Sequence, residues 1–167
     1  MRVLVTGAAG RLGREVVRAF ADDGPVFGLS RTALNVADRK AVHAAIASCT
    51  PSLVVNCAAW TEVDGCEGDP QRAQRINAAA VGYLREAAEE VGAHLLHVST
   101  DFVFDGKADV PYREDDLTAP LNVYGSSKLA GEAMAGPEAT VVRTTWLQPA
   151  DAPGMVERLI VALATGG

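Results

Sequence analysis

Thr100, Tyr124 and Lys128 are the residues whose types and spacing point to chemistry. They lie in the segments HVSTDFVFDG (97–106) and NVYGSSKLAGE (122–132). Tyr124 and Lys128 are four residues apart, which puts a phenol and an ammonium on one face of a helix. A phenol near its ordinary pKa of about 10 is a poor proton source at neutral pH. A neighbouring ammonium stabilises the phenolate and brings that pKa down towards the range of acid–base work. Thr100, at the end of a neighbouring strand, would hold a carbonyl oxygen beside the phenol. The trio suits reduction of a ketone to an alcohol. Tyr-x-x-x-Lys also arises by chance in many helices, so the reading depends on what else the chain supplies.

The N-terminus supplies a cofactor loop. MRVLVTGAAGRLGREVVRAF reads as a short buried strand running into Gly7-x-x-Gly10-x-x-Gly13 and a helix, with a second strand following. That context is the one a dinucleotide loop requires. Gly7 allows the tight turn, Gly10 lets backbone approach a pyrophosphate, and Gly13 lets helix pack on strand. Free N–H groups near Arg11 and Leu12, at the positive end of the helix, would bind the phosphates. Ser30 falls about 20 residues after Gly10, where an Asp or Glu that binds the ribose 2′-hydroxyl is expected. The chain has no acid there. Ser30 and Arg31 offer a hydroxyl and a guanidinium, which suit a 2′-phosphate. NADP(H) is therefore the preferred cofactor, with NAD(H) the alternative.

Elements that position these groups alternate along the chain. Strands are expected near 2–6, 25–30, 53–58, 94–98 and 139–144, and helices near 11–22, 38–48, 71–91, 122–135 and 153–165. Such βαβ alternation predicts an α/β fold: a Rossmann-like, doubly wound parallel sheet with right-handed crossovers. Ligands gather at the carboxyl ends of such strands. Gly7–Gly13, Ser30–Arg31, Cys57–Thr61, Ser99–Asp105 and Thr144–Trp146 all fall there.

Composition narrows the classes. The 167 residues are 49% hydrophobic, only 5% aromatic, and carry a net charge of −6. A single domain over 1–167 is expected. Neither a nucleic-acid partner nor an anionic membrane surface suits that charge. Cys49, Cys57 and Cys66 have no metal-like spacing, and their odd number argues against a disulfide framework. The three histidines, His43, His94 and His97, have no partnered spacing and read as structural. The first strand begins at residue 2, leaving no room for a leader, and no apolar run has membrane length. A cytoplasmic location is the expectation.

TGAAGRLG, NCAAWTEVDGCE, INAAAVGYL, STDFVFDG, PYREDDLTAPLNVYGSSKLAGE and VVRTTW together resemble the dTDP-4-dehydrorhamnose reductases. These are members of the extended short-chain dehydrogenase/reductases. The resemblance covers about residues 1–147. It implies reduction, by NADPH or NADH, of the 4-keto group of a dTDP-linked 4-keto-6-deoxyhexose. By position, Tyr124 is implied as proton donor to the C4 oxygen. Lys128 would tune it and hold the nicotinamide ribose, and Thr100 would complete the polar set. Thr100 and Asp101 match positions that touch the sugar nucleotide, and Trp146 one that packs on the sugar. Gly10 to Leu12, Asn35 with Val36, and Ala58, Ala59 and Trp60 match cofactor-contacting positions. Asn77 reads either as a cofactor-side residue or as a polar helix residue satisfying a neighbouring loop.

The chain departs from the family's pattern in three places. Asn35 stands where an Asp is usual, Leu147-Gln148-Pro149 replaces a Val-Tyr-Gly-like turn, and the sequence stops after five or six βα units. The C-terminal lobe that covers the sugar nucleotide is expected to be missing, so a homodimer or a second chain would complete the pocket. Two other readings stand beside the reductase: an enzyme for another nucleotide-bound keto sugar, and a non-catalytic, partner-binding relative.

Overall fold

A computed structural model describes residues 1–147. Five strands form one all-parallel sheet: β1 (Val3–Thr6), β2 (Val26–Leu29), β3 (Leu53–Asn56), β4 (His94–Thr100) and β5 (Thr140–Thr144). Their spatial order is β2-β1-β3-β4-β5. The chain runs outwards from β1 to β2, then crosses back and continues through β3 to β5. The switch point therefore lies between β1 and β3, where open α/β sheets bind ligands.

Near-continuous Val and Leu runs mark strands buried on both faces. Side chains alternate between those faces. Val3, Val5 and Val55 point one way and meet Val16 and Val17 of α1 (Arg11–Ala19) and Phe20 just after it. Leu4, Val54 and Leu95 point the other way, into the larger core with Val42 and Ile46 of α2 (Arg39–Cys49). Val81, Leu84, Ala87 and Ala88 of α5 (Ala80–Glu90) and Ala135 of α6 (Val123–Ala135) close that core. Asp38 caps α2 by accepting from the Ala41 N–H at 3.1 Å, and Asn122 caps α6 through the Gly125 N–H at 2.7 Å.

The stretch expected as one helix over 71–91 is divided. An additional short helix, α3 (Val63–Gly68), precedes it, and α4 (Pro70–Gln74) starts with Pro70 at its first turn and Asp69 as cap. A π-turn over Arg75–Ala79 then joins α4 to α5. Such turns recur at functional sites, and this one carries Asn77. β3 stops at Asn56 rather than 58, and β4 runs on to Thr100 rather than 98. The helix expected near 153–165 lies outside the described residues.

Close approach of α6 fixes the second layer. A Cβ on Gly131 would land on the Asn77 carbonyl oxygen, and one on Gly125 would land on the Phe102 carbonyl oxygen. Overpacking of this kind costs about 1–3 kcal/mol. We expect Gly131→Ala to lower the thermal midpoint, followed by circular dichroism, by roughly 5 °C. Gly68→Ala, where a Cβ would meet nothing within 4 Å, should leave the midpoint unchanged; equal midpoints for both variants would contradict this packing.

Candidate active site

A cleft of about 770 Å³ opens at the carboxyl ends of the strands. It brings together Gly10, Arg11, Leu12 and Gly13 with Ala59, Thr100, Asp101, Tyr124, Lys128 and Trp146. Gly7 lies just behind this lining with φ +65°, and a Cβ there would lie 2.8 Å from the Cys57–Ala58 backbone. A Cβ on Gly13 would land on the Gly7 carbonyl oxygen. Only glycine permits this close packing of loop on helix. No side chain caps the N-terminus of α1, and its first turn has no acid. Its N–H groups and the positive end of its dipole are thus available to a diphosphate. The residues present fit a dinucleotide.

Ser30 and Arg31 follow β2, whose end is tied to the glycine loop by the Ala8 N–H donating to Leu29 O at 3.1 Å. The Ser30 hydroxyl lies 2.8 Å from that of Thr32, and Arg31 is exposed. Asn35 accepts from the Ala37 N–H at 3.2 Å through its side-chain oxygen, closing a local turn. Val36 packs partly against the main core.

The loop after β3 is held from beneath. Asn56 Oδ1 accepts from the Ala58 N–H at 3.2 Å. Asn77 Oδ1 accepts from the Trp60 N–H at 2.8 Å, while its Nδ2 donates to Trp60 O at 3.0 Å and Ser127 Oγ at 2.9 Å. Asn77 is therefore the loop-satisfying residue of the two readings, buried behind the cleft wall. The indole of Trp60 donates to Glu62 Oε2 at 3.1 Å, and the Arg72 guanidinium stacks on it at 4.1 Å.

Tyr124 and Thr100 meet across the junction of α6 and β4. Burial pushes the Tyr124 phenol above its ordinary value, and hydrogen bonding to Thr100 offsets this only in part. Phe102 adds an edge-to-face ring contact at 5.6 Å. The expected lowering of the phenol by Lys128 is corrected here. The Lys128 Nζ turns away, donating to Val98 O at 2.6 Å and lying 3.3 Å from His97 Nε2. With only 2% of its surface exposed, the lysine is itself pulled down to about 8 by burial.

His97, expected to be structural and without partners, sits at the centre of a polar chain. Its Nδ1 lies 3.0 Å from Asn56 Nδ2, and the Thr6 hydroxyl lies 2.6 Å from Asn56 Oδ1. Register explains the set: Thr6 pairs with Asn56 and Asn56 with His97, so all three share one face, the one α6 covers. The available signal was a polar residue closing the apolar runs of β1 and β3 and interrupting that of β4.

One turn beyond Lys128, Glu132 accepts from Ser99 Oγ at 2.5 Å and holds Arg143 at 2.7 Å. Trp146 stands at the cleft mouth, 66% exposed, with a left-handed backbone at φ +40°. Phe104 stacks on Tyr112 at 4.2 Å instead of facing the cleft. Among the described residues there is no metal-holding cluster of His, Cys, Asp or Glu, and no helix is long and apolar enough to cross a membrane.

Known proteins are similar to this chain in sequence and fold. The chain is 44% identical over 164 residues to a dTDP-4-dehydrorhamnose reductase of Streptomyces griseus, covering 95% of this chain and 54% of that one. It is 45% identical over 172 residues to a probable dTDP-4,6-dihydroxy-2-methyloxan-3-one 4-ketoreductase of Streptomyces antibioticus, covering 100% and 58% respectively. The chain thus spans just over half the length of these relatives. A solved dTDP-4-dehydrorhamnose reductase from Bacillus anthracis, in complex with NADP, superposes with a TM-score of 0.91 at 30% identity. That superposition covers 99% of this chain and 60% of the other. The model of the RmlD substrate binding domain matches residues 1–166. With that match over nearly its whole length, the chain belongs to the RmlD substrate binding domain family.

Proposed function

We propose that this protein is the cofactor-binding part of a reductase that converts the 4-keto group of a dTDP-linked 4-keto-6-deoxy sugar to an alcohol with NADPH. One observation carries the reading: a phenol kept protonated by burial, with a threonine hydroxyl against it, stands in the same cleft as an uncapped glycine loop. A phenol raised by burial is a weak acid at neutral pH, so its proton transfer needs the Lys128 ammonium brought against it to lower that pKa. The names of the relatives from both Streptomyces species support a ring ketone on a dTDP sugar as substrate.

In this mechanism NADPH supplies a hydride to C4 of the sugar. The Gly10–Gly13 turn binds the diphosphate, with Gly7 setting the turn and Arg11 and Leu12 contributing N–H groups. Ser30 and Arg31 take the 2′-phosphate, Asn35 and Val36 flank the adenine, and Ala58 to Trp60 form the wall beside the cofactor, held by Asn77. Tyr124 gives its proton to the carbonyl oxygen as that oxygen gains charge. Thr100 orients the same oxygen, and Lys128 serves the ribose and the phenol. Asp101 and Trp146 contact the sugar nucleotide, and further chain or a second copy closes the cleft over it. The cytoplasm, where nucleotide sugars and NADPH are at hand, is the proposed location.

Three outcomes follow from these roles. With dTDP-4-keto-6-deoxy-L-mannose, NADPH oxidation followed by absorbance should fall by about 100-fold or more in Tyr124→Phe. No turnover by folded wild-type protein would favour a non-catalytic, partner-binding role. NADPH should quench the fluorescence of Trp60 or Trp146, and Arg31→Ala should weaken it by roughly tenfold, about 1.4 kcal/mol, leaving NADH affinity unchanged. Equal wild-type affinity for the two cofactors would remove the 2′-phosphate assignment.

A further inference from the structure

The buried polar chain beneath the cleft contains a hydrogen-bonding constraint that the proposed mechanism leaves unused. A backbone N–H can only donate, so the Ala58 N–H at 3.2 Å fixes which end of the Asn56 amide is oxygen. Reversing that amide would set two donors against each other. With Oδ1 so placed, Asn56 Nδ2 faces His97 Nδ1 at 3.0 Å, and Nδ1 must accept. Burial holds His97 neutral by pulling its pKa down to about 3. A neutral imidazole whose Nδ1 accepts carries its single proton on Nε2. That Nε2–H points at Lys128 Nζ, 3.3 Å away.

An ammonium has three donors and no acceptor. It cannot bond to an Nε2–H, whereas a neutral amine accepts that proton and still donates to Val98 O at 2.6 Å. We propose that His97 is a positioning residue for Lys128. Locked by Asn56 as its Nε2–H tautomer, it favours the amine, which it holds against Val98 once the pH passes the lysine's lowered midpoint. When the lysine gains a proton, His97 can no longer hold it. The ammonium then gives up His97 and finds its partners in the cleft, beside Tyr124. This last step rests on the reductase reading; the tautomer and the amine do not.

Other groups facing Lys128 leave the sign unchanged. Cys57, at the end of β3, is a thiol pushed up to about 11 by burial and so stays neutral. Glu132, on α6 itself, favours the charged lysine, but its carboxylate is already engaged by Arg143 and Ser99. Tyr124 is held protonated, and Asp101 lies at the exposed turn beyond Thr100. The lysine should titrate near 8, charged below that pH and neutral above it.

The test uses the full chain without ligand. Long-range 1H–15N correlations on 15N-labelled protein report each histidine's tautomer, and lysine Cε shifts report Lys128. We expect a neutral Nε2–H imidazole at His97 from pH 5 to 8 and a Lys128 titration near 8. In His97→Gln, a side-chain carbonyl can accept from the ammonium, and the Lys128 midpoint should rise by about 1 or more. Asn56→Asp offers only acceptors, so it should turn His97 into a donor at Nδ1 and raise Lys128 as well; it serves if the glutamine variant does not fold. A wild-type Nδ1–H tautomer, or a Lys128 midpoint unmoved in a folded variant, would overturn the proposal. If the protein turns over, the declining alkaline limb of NADPH oxidation should move up with Lys128. Absent turnover with the expected tautomer would remove the reductase reading alone.

Discussion

The row Thr6–Asn56–His97, capped by Lys128, is the constraint on which the site depends. Three adjacent strands place a polar side chain at one register position: Thr6 and Asn56 at the ends of β1 and β3, and His97 in the middle of β4. Buried groups of this kind are costly unless each finds a partner. Here the partners are one another, together with the Ala58 N–H and the Val98 carbonyl. The chain of bonds therefore ties β1, β3 and β4 to α6 at the edge of the cleft. A one-residue slip of any strand would turn its polar residue to the opposite face and strand the others.

Close backbone contact does the rest of the positioning. α6 can present Tyr124 beside Thr100 because Gly125 lets it approach the turn after β4, and Gly131 lets it approach the π-turn. The π-turn in turn places Asn77 where its amide satisfies both the N–H and the carbonyl of Trp60. The cleft wall is thus set from behind, by a side chain that is itself buried. Electrostatics follow from the same burial: the phenol is held up and the lysine held down, the lysine to about 8.

Much of this was legible in the chain. Strand–helix alternation, the glycine turn and the spacing of Tyr124 and Lys128 all express local rules, and the structure brings Gly10–Gly13, Thr100, Tyr124 and Lys128 to one cleft. Less legible was anything set by register or by burial of a charge. His97 has no partner by sequence spacing, because its partners come from another strand and from a helix, 41 residues away at Asn56 and 31 at Lys128. The direction of the Tyr124 shift was misjudged for the same reason: spacing on a helix says that two side chains share a face, not which way the longer one turns. The break at Arg75–Ala79 reflects tertiary demand at Asn77, since the local sequence is compatible with a plain helix.

The central claim is that this cleft moves a hydride to a sugar ketone while Tyr124 supplies the proton. Mass spectrometry of the sugar product after incubation with NADPH deuterated at its reactive carbon tests that claim most directly. The account predicts a reduced sugar heavier by a single deuterium with wild-type protein, and about 100-fold less of it over the same time with Tyr124→Phe. A reduced sugar without deuterium, or an equal yield of labelled product from Tyr124→Phe, would contradict it.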